Sequence, residues 1–175
     1  QQIDTAGTLV GATQPAGFGH SEHIVGPDAT FYEQLPQNTG IKAYRQITAP
    51  IWSQLGYRSR VPGYGGPALA QGGILYAASM WGFYSLQLGP TGVTQRWRYP
   101  PSANENLEFY GAPLIGPDGT VYSWTTCNPG QPPSGPCNGE LFAFWEDKKV
   151  EPNSPWPMWR HDARRSGQAG PQPGT

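Results

Sequence analysis

Charged residues are scarce in this chain. Asp, Glu, Lys and Arg account for 13% of its 175 residues and leave a formal net charge of −1. So little charge cannot build the basic footprint of a nucleic-acid-binding domain. Long apolar runs are missing too, and none approaches the ~20 residues of a membrane-spanning helix. The glycines follow no three-residue period, which excludes a collagen-like rod. No stretch sustains the periodicity of an amphipathic helix. The Gly-x-Ser-x-Gly elbow, the phosphate-binding loop and His-Glu-x-x-His are all absent. Cysteine is limited to Cys127 and Cys137.

What the chain does have is turn formers and aromatic rings. Gly 24 and Pro 20 make up 44 of the 175 residues, a share that borders on low complexity. Trp 7, Tyr 9 and Phe 6 supply 22 large rings, which a disordered chain lacks. Ring burial offsets the entropy of ordering the backbone. Turn-rich and ring-rich together describe short strands joined by tight turns.

The sequence repeats. Val25-Gly26-Pro27-Asp28-Ala29-Thr30-Phe31-Tyr32 aligns with Ile115-Gly116-Pro117-Asp118-Gly119-Thr120-Val121-Tyr122, with five of eight positions identical. A looser copy runs from Leu69 to Tyr76, and Tyr32, Tyr76 and Tyr122 are spaced by 44 and 46 residues. Proline presets its own dihedral, Asp tolerates turn geometry and Gly accepts positive φ, so each copy predicts a turn between strands. A second block follows each turn: Gly40-Ile41-Lys42-Ala43-Tyr44, Gly82-Phe83-Tyr84-Ser85-Leu86 and Gly139-Glu140-Leu141-Phe142-Ala143-Phe144. Its period of two predicts a strand. A tryptophan closes each unit, at Trp52, at Trp97 and at Trp156 or Trp159. In the middle unit the four strands are expected near Ala68 to Ala70, Ile74 to Ser79, Gly82 to Leu88 and Val93 to Tyr99. Four strands in ~45 residues is the signature of a β-propeller blade.

The cysteines flank a loop made almost wholly of turn residues, Asn128 to Pro136. Metal pairs and redox motifs usually place about two to four residues between cysteines, so a Cys127–Cys137 disulfide stapling a hairpin tip is expected. Such a bond implies an oxidising, extracytoplasmic compartment.

The pattern Gly-Ala-Pro-Leu, Pro-Asp-Gly-Thr-Val-Tyr, Gly-Glu-Leu-Phe-Ala-Phe and Trp across residues 111–159 resembles the repeat of the PQQ-like, quinoprotein-type β-propellers. Thr91-Gly92-Val93-Thr94-Gln95-Arg96-Trp97 is similar to that family's turn into the last strand of a blade. Ser154 to Gly167 resembles a terminal motif of its exported bacterial members. The resemblance spans about residues 20–167. It implies an all-β chain of propeller blades, each of four antiparallel strands: a partial blade or extension at 1–20, blades at about 21–60, 61–105 and 106–167, and a disordered tail at 168–175. Three blades make an incomplete ring, since a closed propeller needs at least four. Three explanations stand: further blades of a longer protein, several copies completing a ring as a homo-oligomer, or a different protein subunit covering the ends. The end blades are expected to expose apolar residues of the kind at Phe31, Ile41, Val121 and Phe142.

Functional candidates are few. His20, Glu22 and His23 offer zinc-type donors, but no third and fourth ligand is apparent. Asp28 and Asp118 hold equivalent turn positions, where capping explains them better than a calcium shell of six to eight oxygens does. Arg160, His161, Arg164 and Arg165 form a basic cluster suited to an anion or acidic partner. Trp81 and Trp124 do not recur with the repeat and are expected near strand ends, on a possible ligand or partner surface. The family includes quinone-dependent dehydrogenases and non-catalytic scaffolds. A dehydrogenase of this type would need adjacent cysteines, and Cys127 and Cys137 are not adjacent. The expectation is a scaffold or interaction subunit with no cofactor, no metal and no catalytic residues. The alternatives are a fragment of a PQQ-dependent dehydrogenase and a glycan-binding propeller.

Overall fold

The computed structural model describes residues 2–3, 9–10, 23–34, 40–44, 50–54, 66–79, 81–100, 107–127, 138–154 and 157–158. Every regular element among them is a strand, and every pairing between strands is antiparallel. Strands β1 (Gln2–Ile3) and β2 (Leu9–Val10) pair with each other. Three four-stranded sheets follow. The first is the meander β3 (His23–Val25), β4 (Phe31–Gln34), β5 (Ile41–Tyr44) and β6 (Pro50–Gln54). The second repeats it with β7 (Ala68–Ala70), β8 (Ile74–Ser79), β9 (Gly82–Gly89) and β10 (Gly92–Tyr99). The third holds β11 (Leu107–Phe109), β12 (Leu114–Ile115), β13 (Val121–Cys127) and β14 (Leu141–Phe144).

Alternation in sequence becomes alternation in burial. Tyr32 and Gln34 on β4, and Ile41 and Ala43 on β5, point inward, while Phe31, Glu33, Lys42 and Tyr44 lie on the opposite, half-buried face. Strand β8 breaks this pattern because all six of its residues are buried. A strand buried on both faces must sit between two layers. One face, through Leu69, Leu75, Ala77, Tyr84 and Leu86, packs on Ile24, Tyr32, Ile41 and Ala43 of the first sheet. The other, through Ala68, Ile74, Tyr76, Ala78 and Phe83, packs on Phe109, Ile115 and Val121 of the third. The rings of Phe83 and Phe144 stack across that interface at 4.8 Å.

The two matching turns fold alike. Gly26 and Gly116 each donate an N–H to the carbonyl of the threonine four residues on, at 2.8 Å in both copies. Asp28 Oδ1 accepts from the Thr30 N–H at 3.1 Å, and Asp118 Oδ1 from the Thr120 N–H at 3.0 Å. Ala29 and Gly119 take the same left-handed conformation, at φ 60° and 89°.

The third sheet departs from the other two. Its first strand is split: β11 and β12 pair with successive parts of β13, Cys127 to Thr125 and Tyr122 to Val121. Beyond β14 the described chain adds no further strand to this sheet. It returns instead to the second sheet, where Val150 bridges Ala70 on the free edge of β7. Gln71 N–H donates to the Lys149 carbonyl, Glu151 N–H to Leu69, and Leu69 N–H to Pro157. Met158 is buried in the core between the second and third sheets, and the Ser154 hydroxyl donates to the Val25 carbonyl at the end of β3. The expected closing tryptophans, Trp156 and Trp159, lie outside the described residues.

One expectation is corrected. Ile41 and Val121 are fully buried against the second sheet, and Phe142 packs on the same interface as Phe109 and Phe144. They do not mark the outer faces, because the register turns their side chains inward. Those faces carry Phe31 and Tyr44 on the first sheet and Leu141 on the third.

Candidate functional site

A cluster of interacting polar side chains lies where the chain leaving β14 crosses the second sheet. Glu146 sets its carboxylate against Arg96 Nη1, at 3.2 Å from Oε2, and accepts from the Trp97 indole N–H at 2.6 Å. Arg96 also donates to the Ser85 hydroxyl at 2.9 Å. The β10 irregularity between Gln95 and Trp97 is what lets adjacent Arg96 and Trp97 reach one carboxylate. Tyr76 lies on the same face, opposite Ser85 in the ladder, with its hydroxyl fully buried and without a hydrogen-bond partner. Burial pushes its phenol well above the ordinary range, and the Glu146 carboxylate adds to this while Arg96 opposes it. Around these groups the rings of Phe83, Trp97 and Phe144 pack at centroid distances of 4.8–5.9 Å. A charge pair walled in by rings and shared by two sheets joins them; it presents no nucleophile activated by a base.

The sequence-derived candidates are dispersed. Trp81 occupies the turn from β8 to β9 and is 38% exposed, the position expected of it. Its N–H donates to the Ser79 hydroxyl at 3.1 Å, and its carbonyl accepts from the Arg98 guanidinium. Trp124 is not near a strand end. It lies in the middle of β13, half-buried, on another sheet from Trp81. Its indole rests on Gly111, whose φ of 96° and missing Cβ make the space. Cys127 is the last residue of β13, and there is no free cysteine among the described residues. Cys137, Arg160, His161, Arg164, Arg165, His20 and Glu22 lie outside the described residues. His23 is described only as part of β3. Among the described residues no three metal-ligating side chains cluster. Among the described residues no helix is long and apolar enough to cross a membrane.

Two features escape the sequence. Glu108 is 4% exposed and its Oε1 has no partner, so burial pushes its carboxyl upward. Leu141 and Trp145 are 72% and 77% exposed, the highest values among the large apolar side chains described. The run Leu-Phe-Ala-Phe-Trp from 141 to 145 has no polar residue to tell an inner face from an outer one. The signal was present only as the absence of alternation.

No protein-family model matches the chain, and no curated protein matches it either.

Proposed function

We propose that the chain is a non-catalytic scaffold of β-propeller type, three blades that work by binding protein rather than by chemistry. The observation that carries the proposal is the unequal burial of the three sheets. The middle sheet is covered on both faces, whereas each flanking sheet packs on it with one face and keeps the other partly open. The outer faces mix apolar with charged side chains, Phe31 and Tyr44 with Glu33 and Lys42 on the first sheet and Leu141 on the third. Apolar residues left open at the ends of a stack are suited to further layers. Support also comes from the repeated Gly-Pro-Asp turns and from face-to-face stacking in chain order. The covering layers are further blades of the same kind, in this polypeptide or in another. An extracytoplasmic location goes with this reading through the Cys127–Cys137 pairing.

Light scattering with an apolar-surface dye tests the proposal. Association beyond a single chain, or dye bound by the single chain, is the expected result. A 19.0 kDa monomer that binds no dye would overturn it. Because the two cysteines are not adjacent, adding PQQ and calcium is expected to give no dye-linked dehydrogenase activity; appearance of that activity would favour the dehydrogenase alternative.

A further inference from the structure

In the first and second sheets the third strand is followed by a fourth, β6 on β5 and β10 on β9. In the third sheet β14 is the third strand after the split edge, and among the described residues nothing pairs with its outer side. We infer that the free edge of β14 is a self-association surface, and that its occupant is β14 of a second copy, paired antiparallel about Ala143. This rests on the interaction reading above and names its partner.

Backbone direction comes first. The Thr125 N–H donates to the Glu140 carbonyl, so the backbone groups of Glu140 face β13. Direction alternates along a strand, so those of Phe142 and Phe144 also face β13, while those of Leu141, Ala143 and Trp145 face the open edge. Two copies related by a two-fold axis through Ala143 set Ala143 opposite itself and Leu141 opposite Trp145 of the other copy. All three are hydrogen-bonding pairs. Centring on Phe142 instead would leave Trp145 opposite Gly139.

Side chains select the same register. Leu141, Ala143 and Trp145 share one face, the exposed one, and they include the two most exposed large apolar residues described. The pairing covers each tryptophan with a leucine on both sides of the axis, a favourable cross-strand combination. Ala143 at the centre is small enough for close approach. Natural edges are usually protected by charge, proline or a bulge, and residues 141–145 contain none of these. The ends are less favourable: Glu146 would meet Glu140 of the other copy, a like-charge pair whose repulsion is reduced because Glu146 is already held by Arg96 and Trp97.

The area sets the strength. Two tryptophans, two leucines and a five-residue edge bury well under the ~1,200 Å² of a standard interface, so the pair is weak and concentration-dependent.

Sedimentation equilibrium on the whole chain, from low micromolar to near-millimolar concentration, should show a monomer–dimer equilibrium. Trp145→Glu should weaken it at least about tenfold, the effect of losing one central apolar contact. Under mild oxidation Ala143→Cys should give a covalent dimer, because opposed hydrogen-bonded residues are ~5.5 Å apart at Cα, within disulfide reach. Leu141→Cys should not, since its symmetry mate is far along the strand. Circular dichroism confirms that each variant folds. Equal cross-linking of both cysteines, or of neither, overturns the register and the site. Association untouched by Trp145→Glu overturns the β14 edge while leaving the scaffold reading intact. A chain that stays monomeric throughout and binds only a different protein overturns the second copy as occupant.

Discussion

The side chain of Asp118 turns a sequence motif into a pH-dependent contact. Its carboxylate accepts from the Thr120 N–H and, at 2.8 Å, from the Thr120 hydroxyl. These bonds hold its pKa below the ordinary 3.8, with the backbone bond the largest cause. A carboxyl depressed in the folded state stabilises the fold above its unfolded pKa, and that contribution is lost as pH falls through the lowered value. Asp118→Ala is therefore expected to lower the thermal midpoint at pH 7, and the gap to the parent should narrow as acidification carries the pH through the lowered value. A gap independent of pH would mean that the charge has no part in it. The Tyr76 hydroxyl, buried without a partner, makes the opposite case. Tyr76→Phe should change stability by no more than about 1 kcal/mol, in either direction, because removing an unsatisfied group lifts a desolvation cost. Glu146→Ala should cost about 1–3 kcal/mol in urea titration, since it strands both the Trp97 indole and Arg96. The Asp turns were legible because Pro-Asp-Gly is a local signal. The Glu146–Trp97 bond spans 49 positions and has no local signal at all.

Among the elements, the middle unit is the most legible. Its last two strands, expected at Gly82 to Leu88 and Val93 to Tyr99, form as Gly82–Gly89 and Gly92–Tyr99. Their turn residues and alternating rings agree on where each strand ends. The third unit is read less well. Strand β11 goes unanticipated because the break before β12 depends on Gly111, whose role is fixed by the Trp124 indole packed against it. Gly111→Ala is expected to destabilise the third sheet by about 1–3 kcal/mol, from left-handed strain plus displacement of that indole. A red-shifted tryptophan emission should accompany the loss. At the end of β13, the Cys127–Cys137 bond is expected to contribute no more than about 3 kcal/mol, because it closes a short loop. Two thiols titrated under denaturing, non-reducing conditions would show that the bond does not form.

The three four-stranded sheets of the described residues form three layers, with the second sheet as the shared one. Its core side chains serve both neighbours, and Phe83 reaches Phe109, Phe144 and Trp97 at once. Phe83→Ala should cost about 3–5 kcal/mol, the range for emptying a buried ring site. The stacking order could be read from the sequence because successive repeats pack on each other. Which face of each end sheet stays open could not, since Ile41 and Phe31 are both apolar and only register separates them.

The pairing of residues 149–157 with β7 bears on how a cell makes this chain. Synthesis runs from the N-terminus, so β7 leaves the ribosome some eighty residues before Lys149 and Pro157, which hydrogen-bond its edge. For that interval a short apolar strand, Ala-Leu-Ala, presents unpaired amides to whatever else is nearby. A nascent chain stopped before Lys148 therefore carries an open β7 edge that residues 149–157 close once they have been made. Chains halted at Asp147 should be degraded by protease faster than chains halted just beyond Met158, and equal rates would show that the edge closes by other means.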